Sequence, residues 1–175
     1  MELSEHNIVY GQTFTMTAEV QTSNSSAVPE GGTVEFKIGT TVIGSGTVTD
    51  GKATLIVDKE KWADTEMAGI GIGQHAVSAV YTGVAQQYES SISPIADLTI
   101  AAADTIVELS VSPDPPVFAS NLTIQVNVSV KEPGGGEPTG IITLYRLVND
   151  EWQPVDEPEL LTPGVPFVSF QDSFH

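Results

Sequence analysis

A two-residue rhythm is the feature that most limits what this chain can become. Phe14, Met16, Ala18 and Val20 alternate with Thr13, Thr15, Thr17 and Glu19, which places one apolar face along an extended strand. Val34, Phe36 and Ile38 repeat the pattern, followed by Ala53, Leu55 and Val57, then Val77, Ala79 and Tyr81, then Leu98 and Ile100. Turn formers separate the runs: Asn24-Ser25-Ser26, Glu30-Gly31-Gly32, Gly44-Ser45-Gly46, Asp50-Gly51 and Pro94. These residues supply left-handed or proline-fixed dihedrals that break strands at short intervals. About six or seven short strands in the first hundred residues, with no sustained helical period, predict an antiparallel β-sandwich. One stretch, Lys59 to Met67, has few β-branched residues and predicts a short turn of helix between two strands.

The pattern recurs along the chain, and internal repetition decides architecture. An offset of 108 residues lays Tyr10, Phe14, Met16, Ala18 and Val20 on Phe118, Leu122, Ile124, Val126 and Val128, and Gly32, Val34 and Phe36 on Gly140, Ile142 and Leu144. The second copy then runs about five residues longer through Val148-Asn149-Asp150-Glu151-Trp152, so that Gly51-Lys52-Ala53 meets Gly164-Val165-Pro166 at an offset of 113. The boundary falls near Ala101-Ala102-Ala103-Asp104, giving units 1–103 and 104–175. These carry formal charges of −8 and −9 within the total of −17. Acidity is therefore a property of the repeat rather than of a tail.

The first unit carries Val9-Tyr10-Gly11-Gln12, the Gly32-Thr33-Val34-Glu35-Phe36 strand, the Gly51 strand, and Gly73-Gln74-His75-Ala76-Val77-Ser78-Ala79-Val80-Tyr81-Thr82-Gly83, followed by Tyr88 and Ser90-Ser91. In these motifs it resembles the bacterial immunoglobulin-like repeats of the third group, which occur in tandem arrays in large secreted and surface proteins. The likeness spans nearly all of residues 1–100 and about 60 residues of the second unit. It departs from the family at Val84, where an Asp usually follows the glycine, and in an insertion around Lys59 to Ile72. The resemblance implies tandem immunoglobulin-like antiparallel sandwiches, an all-β chain, at an extracellular or cell-surface location.

By analogy with Thr105 to Val111, the first unit is expected to begin several residues before Met1, with Met1 standing in place of upstream sequence. The second unit reaches only the strand that corresponds to Ala53 to Val57, so it is expected to lack its last two strands, the counterparts of His75 to Tyr81 and Ile95 to Ile100. Roughly four to six inward side chains would then be unmatched, and at about 1.5–3 kcal/mol each the deficit is on the order of 10 kcal/mol. That equals the whole stability of a typical domain. Residues 104–175 are accordingly expected not to close an independent sandwich unless another copy supplies strands or the segment packs on the first unit.

Charge removes whole classes of partner. With 6 Lys and Arg against 23 Asp and Glu, the surface repels nucleic-acid phosphates and anionic membranes. No apolar run reaches the roughly 18 residues a membrane helix needs, so membrane insertion by a helix is not expected. The absence of cysteine removes disulfides, thiolate nucleophiles and Cys-ligated zinc together.

Catalytic residues are scarce. The histidines are His6, His75 and His175; the first and last sit at chain ends, and His75 shares inward parity with Val77, Ala79 and Tyr81. No partner orients it as a base, so no catalytic role is assigned. Gly69-Ile70-Gly71-Ile72-Gly73 lacks both the spacing and the lysine of a phosphate loop and is expected to be a flexible connection. The acids fall in turns and on outward positions, as solvated charge does. No cofactor is therefore expected, with calcium the one ion to weigh, because hard cations take carboxylate oxygens in loops between sandwiches. Its candidates are Asp97 and Asp104 beside the junction, then Asp150-Glu151 and Asp156-Glu157-Pro158-Glu159.

Trp62, in the helical turn, and Trp152, in the long second-unit loop, are expected outside the alternating strands, where an exposed indole suits stacking on a glycan or a protein but more often caps a sandwich end. Three sequons, Asn24-Ser25-Ser26, Asn121-Leu122-Thr123 and Asn127-Val128-Ser129, are chance matches in a bacterial protein. Three functions follow in order of preference. The first is a non-catalytic spacer or adhesion module that meets protein or glycan at a cell surface. The second is a self-assembling filament or virion subunit, a homo-oligomer completed by strand exchange. The third is a carbohydrate-binding accessory module.

Overall fold

The computed structural model describes residues 1–22, 29–115, 118 and 121–173; the turn read at Asn24-Ser25-Ser26, and His175, lie outside them. The chain divides into two compact units, Met1–Ala103 with Pro133–Gly136, and Asp104–Glu132 with Glu137–His175.

In the first unit the elements run β1 (Glu2–Leu3), β2 (Asn7–Val9), β3 (Phe14–Glu19), β4 (Thr33–Ile38), β5 (Thr41–Thr47), β6 (Lys52–Val57), α1 (Lys59–Trp62), β7 (Gly73–Thr82), β8 (Ser91–Ile92) and β9 (Ala96–Ala101). One sheet has the order β1-β3-β6 and the other β2-β9-β7-β4-β5, with β8 beside β7. The alternation puts Leu3, Phe14, Met16, Ala18, Ala53 and Val57 of the first sheet into one cluster with Val34, Phe36, Ile38, Val77, Tyr81 and Leu98 of the second. No polar or charged residue is buried among the described residues, so burial of apolar surface drives the association of the layers. All ladders are antiparallel except β2 with β9, which run parallel from Asn7↔Thr99 to Val9↔Ala101.

The short connections show why particular residues recur. Asp50 and Gly51 have φ of 49° and 70°, the pair of positive values that a type I′ hairpin turn requires. Val9-Tyr10-Gly11-Gln12 is a second turn: the Gln12 N–H donates to the Val9 carbonyl at 3.0 Å and the Gln12 side chain accepts from Val9 N–H at 3.0 Å. Tyr81 packs beneath Gly31-Gly32, its hydroxyl 3.3 Å from the Gly31 carbonyl. Gly32 combines a φ of 78° with a site where a Cβ would meet the Tyr81 ring at 2.5 Å, so only glycine fits there.

Gly44-Ser45-Gly46 is not a turn. It lies inside β5, and the turn of this hairpin sits earlier, at Gly39 with φ 60°. The reason is close approach across the sandwich rather than φ: a Cβ on Gly44 would meet Leu55 Cδ1 at 2.8 Å, and one on Gly46 would meet the Thr54 carbonyl at 3.3 Å. Glycine inside a strand often marks such an approach. Gly44→Val is expected to lower stability by about 1–3 kcal/mol through overpacking. Gly69→Ala, with nothing within 4 Å of the new Cβ, is expected to stay within about 0.5 kcal/mol. Parallel urea titrations of the two variants check the contrast.

The helix is shorter than the stretch Lys59 to Met67. Asp58 caps it, accepting from Lys61 N–H at 2.9 Å, and after Trp62 the chain continues through turns such as Met67 N–H to Asp64 carbonyl and Ile70 N–H to Met67 carbonyl. Trp62, Met67 and Ile70 all join the core. The insertion of Lys59 to Ile72 is therefore a cover for the sandwich, and its Gly69–Gly73 segment carries a core residue at Ile70.

The second unit contains β10 (Thr105–Ser112), β11 (Asn121–Val130), β12 (Gly140–Ile142), β13 (Tyr145–Val148), β14 (Glu151–Pro154), β15 (Glu159–Leu161) and β16 (Phe167–Ser173). β10-β11-β16 form one sheet, and β12 with β15 and β13 with β14 form separate pairs. The order β10-β11-β16 repeats β1-β3-β6. The register differs from the sequence match, however: Ala18 faces Ala53 and its counterpart Val126 faces Val168, an offset of 115 for the outer strand where the sequence match gives 113. A two-residue slip keeps every side chain on its face, so alternation alone specifies the face and not the register. Val126, Val128, Leu161 and Phe170 form the buried cluster here. Strands equivalent to β7 and β9 do not occur among the described residues of this unit.

Candidate functional site

The segment from Val148 to Trp152 is a hairpin rather than a loop. Asn149 and Asp150 adopt φ of 51° and 65°, the same type I′ signature as Asp50-Gly51, and they join β13 to β14. Leu147 stands opposite Trp152 and Tyr145 opposite Pro154. Directly opposed residues and their i+2 neighbours share a face, so Tyr145, Leu147, Trp152 and Pro154 line one side of this hairpin. That side is open: Tyr145 is 53% exposed, Leu147 51% and Trp152 69%. On the opposite side Arg146 Nη1 lies 3.1 Å from Asp172 Oδ2 on β16. This charge-assisted contact fastens the polar face and turns the aromatic one outward. Tyr145 and Leu147 were not among the sequence candidates, although their two-residue spacing across an Asn-Asp turn from Trp152 is a hairpin signal.

Of the two places weighed for it, Trp62 takes the capping one. It is 9% exposed, its Nε1–H donates to the Gln12 carbonyl at 2.8 Å, and its ring lies 5.1 Å from Tyr10 and 6.4 Å from Phe14 in tilted geometry. Both its apolar body and its polar handle are satisfied internally, which makes it a cap on the sandwich rather than a contact surface. Single-tryptophan variants check this placement. In Trp62→Phe the remaining Trp152 is expected to be quenched by acrylamide several-fold more strongly than the remaining Trp62 in Trp152→Phe.

The titratable candidates do not converge. His75 Nε2 lies 2.8 Å from the Gly71 carbonyl; a carbonyl only accepts, so Nε2 carries the proton. His6 is held rather than frayed, its Nδ1 donating to the Asp97 carbonyl at 2.9 Å. Asp97 is exposed on β9, and Asp104, whose carbonyl accepts from Lys131 N–H at 2.8 Å, opens the second unit. No group of three His, Cys, Asp or Glu that could hold a metal occurs among the described residues. The Asp150-Glu151 pair sits at the tip and start of the hairpin, and Glu157 N–H donates to Asp156 Oδ1 at 2.9 Å, a local turn contact. A groove of about 240 Å³ in the first unit is lined by Ala18, Val20, Tyr81, Ile92 and Ser93, with Glu19 as its one carboxylate. A lone carboxylate there makes no acid–base pair. No helix among the described residues is long and apolar enough to cross a membrane.

Comparison with known proteins places these observations. A family described as bacterial Ig-like domain (group 3) matches residues 1–101. No curated protein matches. Among solved structures the chain is similar to one from the work "Structural insight into host cell surface retention of a 1.5-MDa bacterial ice-binding adhesin", at 17% identity and a TM-score of 0.30, over 95% of this chain and 49% of that one. The chain thus spans about half the length of that structure. With two layers in the order β1-β3-β6 and β2-β9-β7-β4-β5 and the family match over residues 1–101, the chain belongs to the bacterial Ig-like domains of group 3.

Proposed function

We propose that this chain is a non-catalytic segment of a bacterial surface protein, acting as an extracellular spacer or adhesion module. The observation that carries the reading is the family match over residues 1–101 on a unit whose inner side chains are all apolar. Such a unit invests its sequence in packing and presents acids to solvent, and repetition of units gives reach. The test is to label intact source cells with an antibody raised against the chain. Labelling of unpermeabilised cells, lost after brief protease treatment, is the expected result; labelling only after lysis overturns the reading.

A second reading, glycan contact, draws on one observation, the open face of Tyr145, Leu147 and Trp152. Aromatic rings with adjacent carboxylates suit stacking on a sugar with hydrogen bonds from its hydroxyls. On a glycan array, signal that falls at least roughly tenfold in Trp152→Ala, about 1.4 kcal/mol, supports it, and silence across the array removes it.

A further inference from the structure

We propose that the outer face of the β12–β15 and β13–β14 ladders is a docking surface for a basic peptide segment with apolar anchors, laid along the strands. The face includes the open side of the hairpin and continues past it. Ile141 lies opposite Leu160, and Ile142 and Leu144 pack inward against the buried cluster, so Ile141, Tyr145 and Leu147 share the outward parity of one run of chain. Two residues separate β12 from β13 and four separate β14 from β15, an even difference that keeps the two ladders on one face. The Val155 N–H donates to the Leu144 carbonyl at 2.9 Å, which carries the pairing into the gap. Ile141 is 73% and Leu160 64% exposed. With Tyr145, Leu147 and Trp152 they make an open apolar strip about 20 Å long, at roughly 3.3 Å per residue.

Packing does not require this strip. The offset of 108 that lays Val34 and Phe36 on Ile142 and Leu144 also lays Thr33, Glu35 and Lys37 on Ile141, Thr143 and Tyr145. The outward positions of the first unit are thus polar, with Glu35 and Lys37 paired at 3.7 Å, and Thr47 and Ser45 stand across from Thr33 and Glu35. A strand in the equivalent place is therefore built without an apolar outer side, and the apolar residues of the second unit serve something other than the fold. A contiguous exposed patch of this kind marks an interaction surface. Tyr, Trp and aliphatic side chains with charge at their margin have the composition of an interface.

The charge around the strip selects the occupant. Between Gly140 and Leu161 stand the exposed acids Asp150, Glu151, Asp156, Glu157 and Glu159 and a single base, Arg146. Arg146 is held by Asp172 on the opposite side at 3.1 Å, and none of the five carboxylates makes an ion pair among the described residues. Lys or Arg groups of a partner meet these carboxylates and the ring faces of Tyr145 and Trp152, which attract cations. A second copy of this chain, with its formal −17, is repelled, as is an anionic lipid surface. A glycan matches less of the strip, because Ile141, Leu147 and Leu160 offer no flat ring for a sugar to stack on. The inference goes beyond both readings above and needs neither a cell-surface location nor a sugar.

The experiment uses the full chain and a fluorescein-labelled decapeptide, three Leu-Thr repeats with two lysines at each end, followed by fluorescence anisotropy. The peptide is expected to bind at least roughly tenfold more tightly than two matched peptides, one with Ser for Leu and one with Glu for Lys. Its affinity is expected to fall several-fold between about 0.05 M and about 0.5 M salt. The double variant Ile141→Thr with Trp152→Ser is expected to weaken binding about tenfold or more, whereas Ile56→Thr, which removes an exposed apolar residue of the first unit, leaves it unchanged. Equal binding of the Ser-for-Leu peptide overturns the proposal, since attraction is then charge alone, and equal binding of the Glu-for-Lys peptide does so by removing the role of the carboxylates. These peptide comparisons use the unaltered chain and hold whether or not a variant folds. Unchanged affinity in a folded double variant also overturns the proposal, by placing the peptide elsewhere. Binding of a glucose hexasaccharide with no preference among the peptides overturns it in favour of a sugar, and a dimer on size-exclusion chromatography that Ile141→Thr dissociates overturns it in favour of a second copy.

Discussion

Phe36→Ala is expected to cost the first unit about 3–5 kcal/mol, the range for removing a buried aromatic ring. Phe36 is fully buried at the middle of β4, and its cross-strand partners are Gly44 on one side and Ala79 on the other. Neither partner has a side chain able to swing into the vacated space, so collapse of the cavity is limited and the cost falls toward the upper part of the range. A domain holds on the order of 5–15 kcal/mol in total, so the variant retains its fold with a much lower urea midpoint. The m-value is expected to stay unchanged, because the same surface is exposed on unfolding. A loss below about 1 kcal/mol, measured by urea titration, would mean that Phe36 is not at the centre of the packed layers.

The neighbours of Phe36 also show which parts of the fold can be read from sequence. The faces are legible, because Val34, Phe36 and Ile38, or Val77, Ala79 and Tyr81, alternate at the period of a strand whatever surrounds them. β5 is not legible, because Gly44-Ser45-Gly46 has the composition of a turn. Its glycines answer to Leu55 and Thr54 on another strand, a constraint that exists only once the sheets have met. The register of β16 is hidden for a related reason, since a slip of two residues leaves the apolar face unchanged. At the candidate site the same division holds. Trp152 is exposed as the polar residues around it imply, although on a strand and not in a loop. The burial of Trp62 depends on Gln12, fifty positions away, whose carbonyl receives the indole N–H. No local pattern around Lys59 to Met67 carries that information.

The same change made in the second unit is expected to have a different outcome. Phe170 is 1% exposed and is the largest side chain in a cluster with Val126, Val128 and Leu161. In Phe170→Ala the loss is again about 3–5 kcal/mol, but here it falls on a core with few other members to compensate. Each remaining aliphatic side chain contributes about 1.5–3 kcal/mol of burial, set against conformational entropy that is undiminished. The variant is therefore expected to lose the cooperative structure of residues 104–175 while the first unit keeps its own urea midpoint, because the two clusters have no member in common and residues without shared partners act independently. Hydrogen exchange separates the two outcomes. Amides of β11 and β16 exchange at near-unfolded rates in Phe170→Ala, while those of β4 and β7 remain protected; in Phe36→Ala the order of weakening is reversed. If β11 and β16 stay protected in Phe170→Ala, then packing outside that cluster holds the second unit together, and its small core is not what limits its stability.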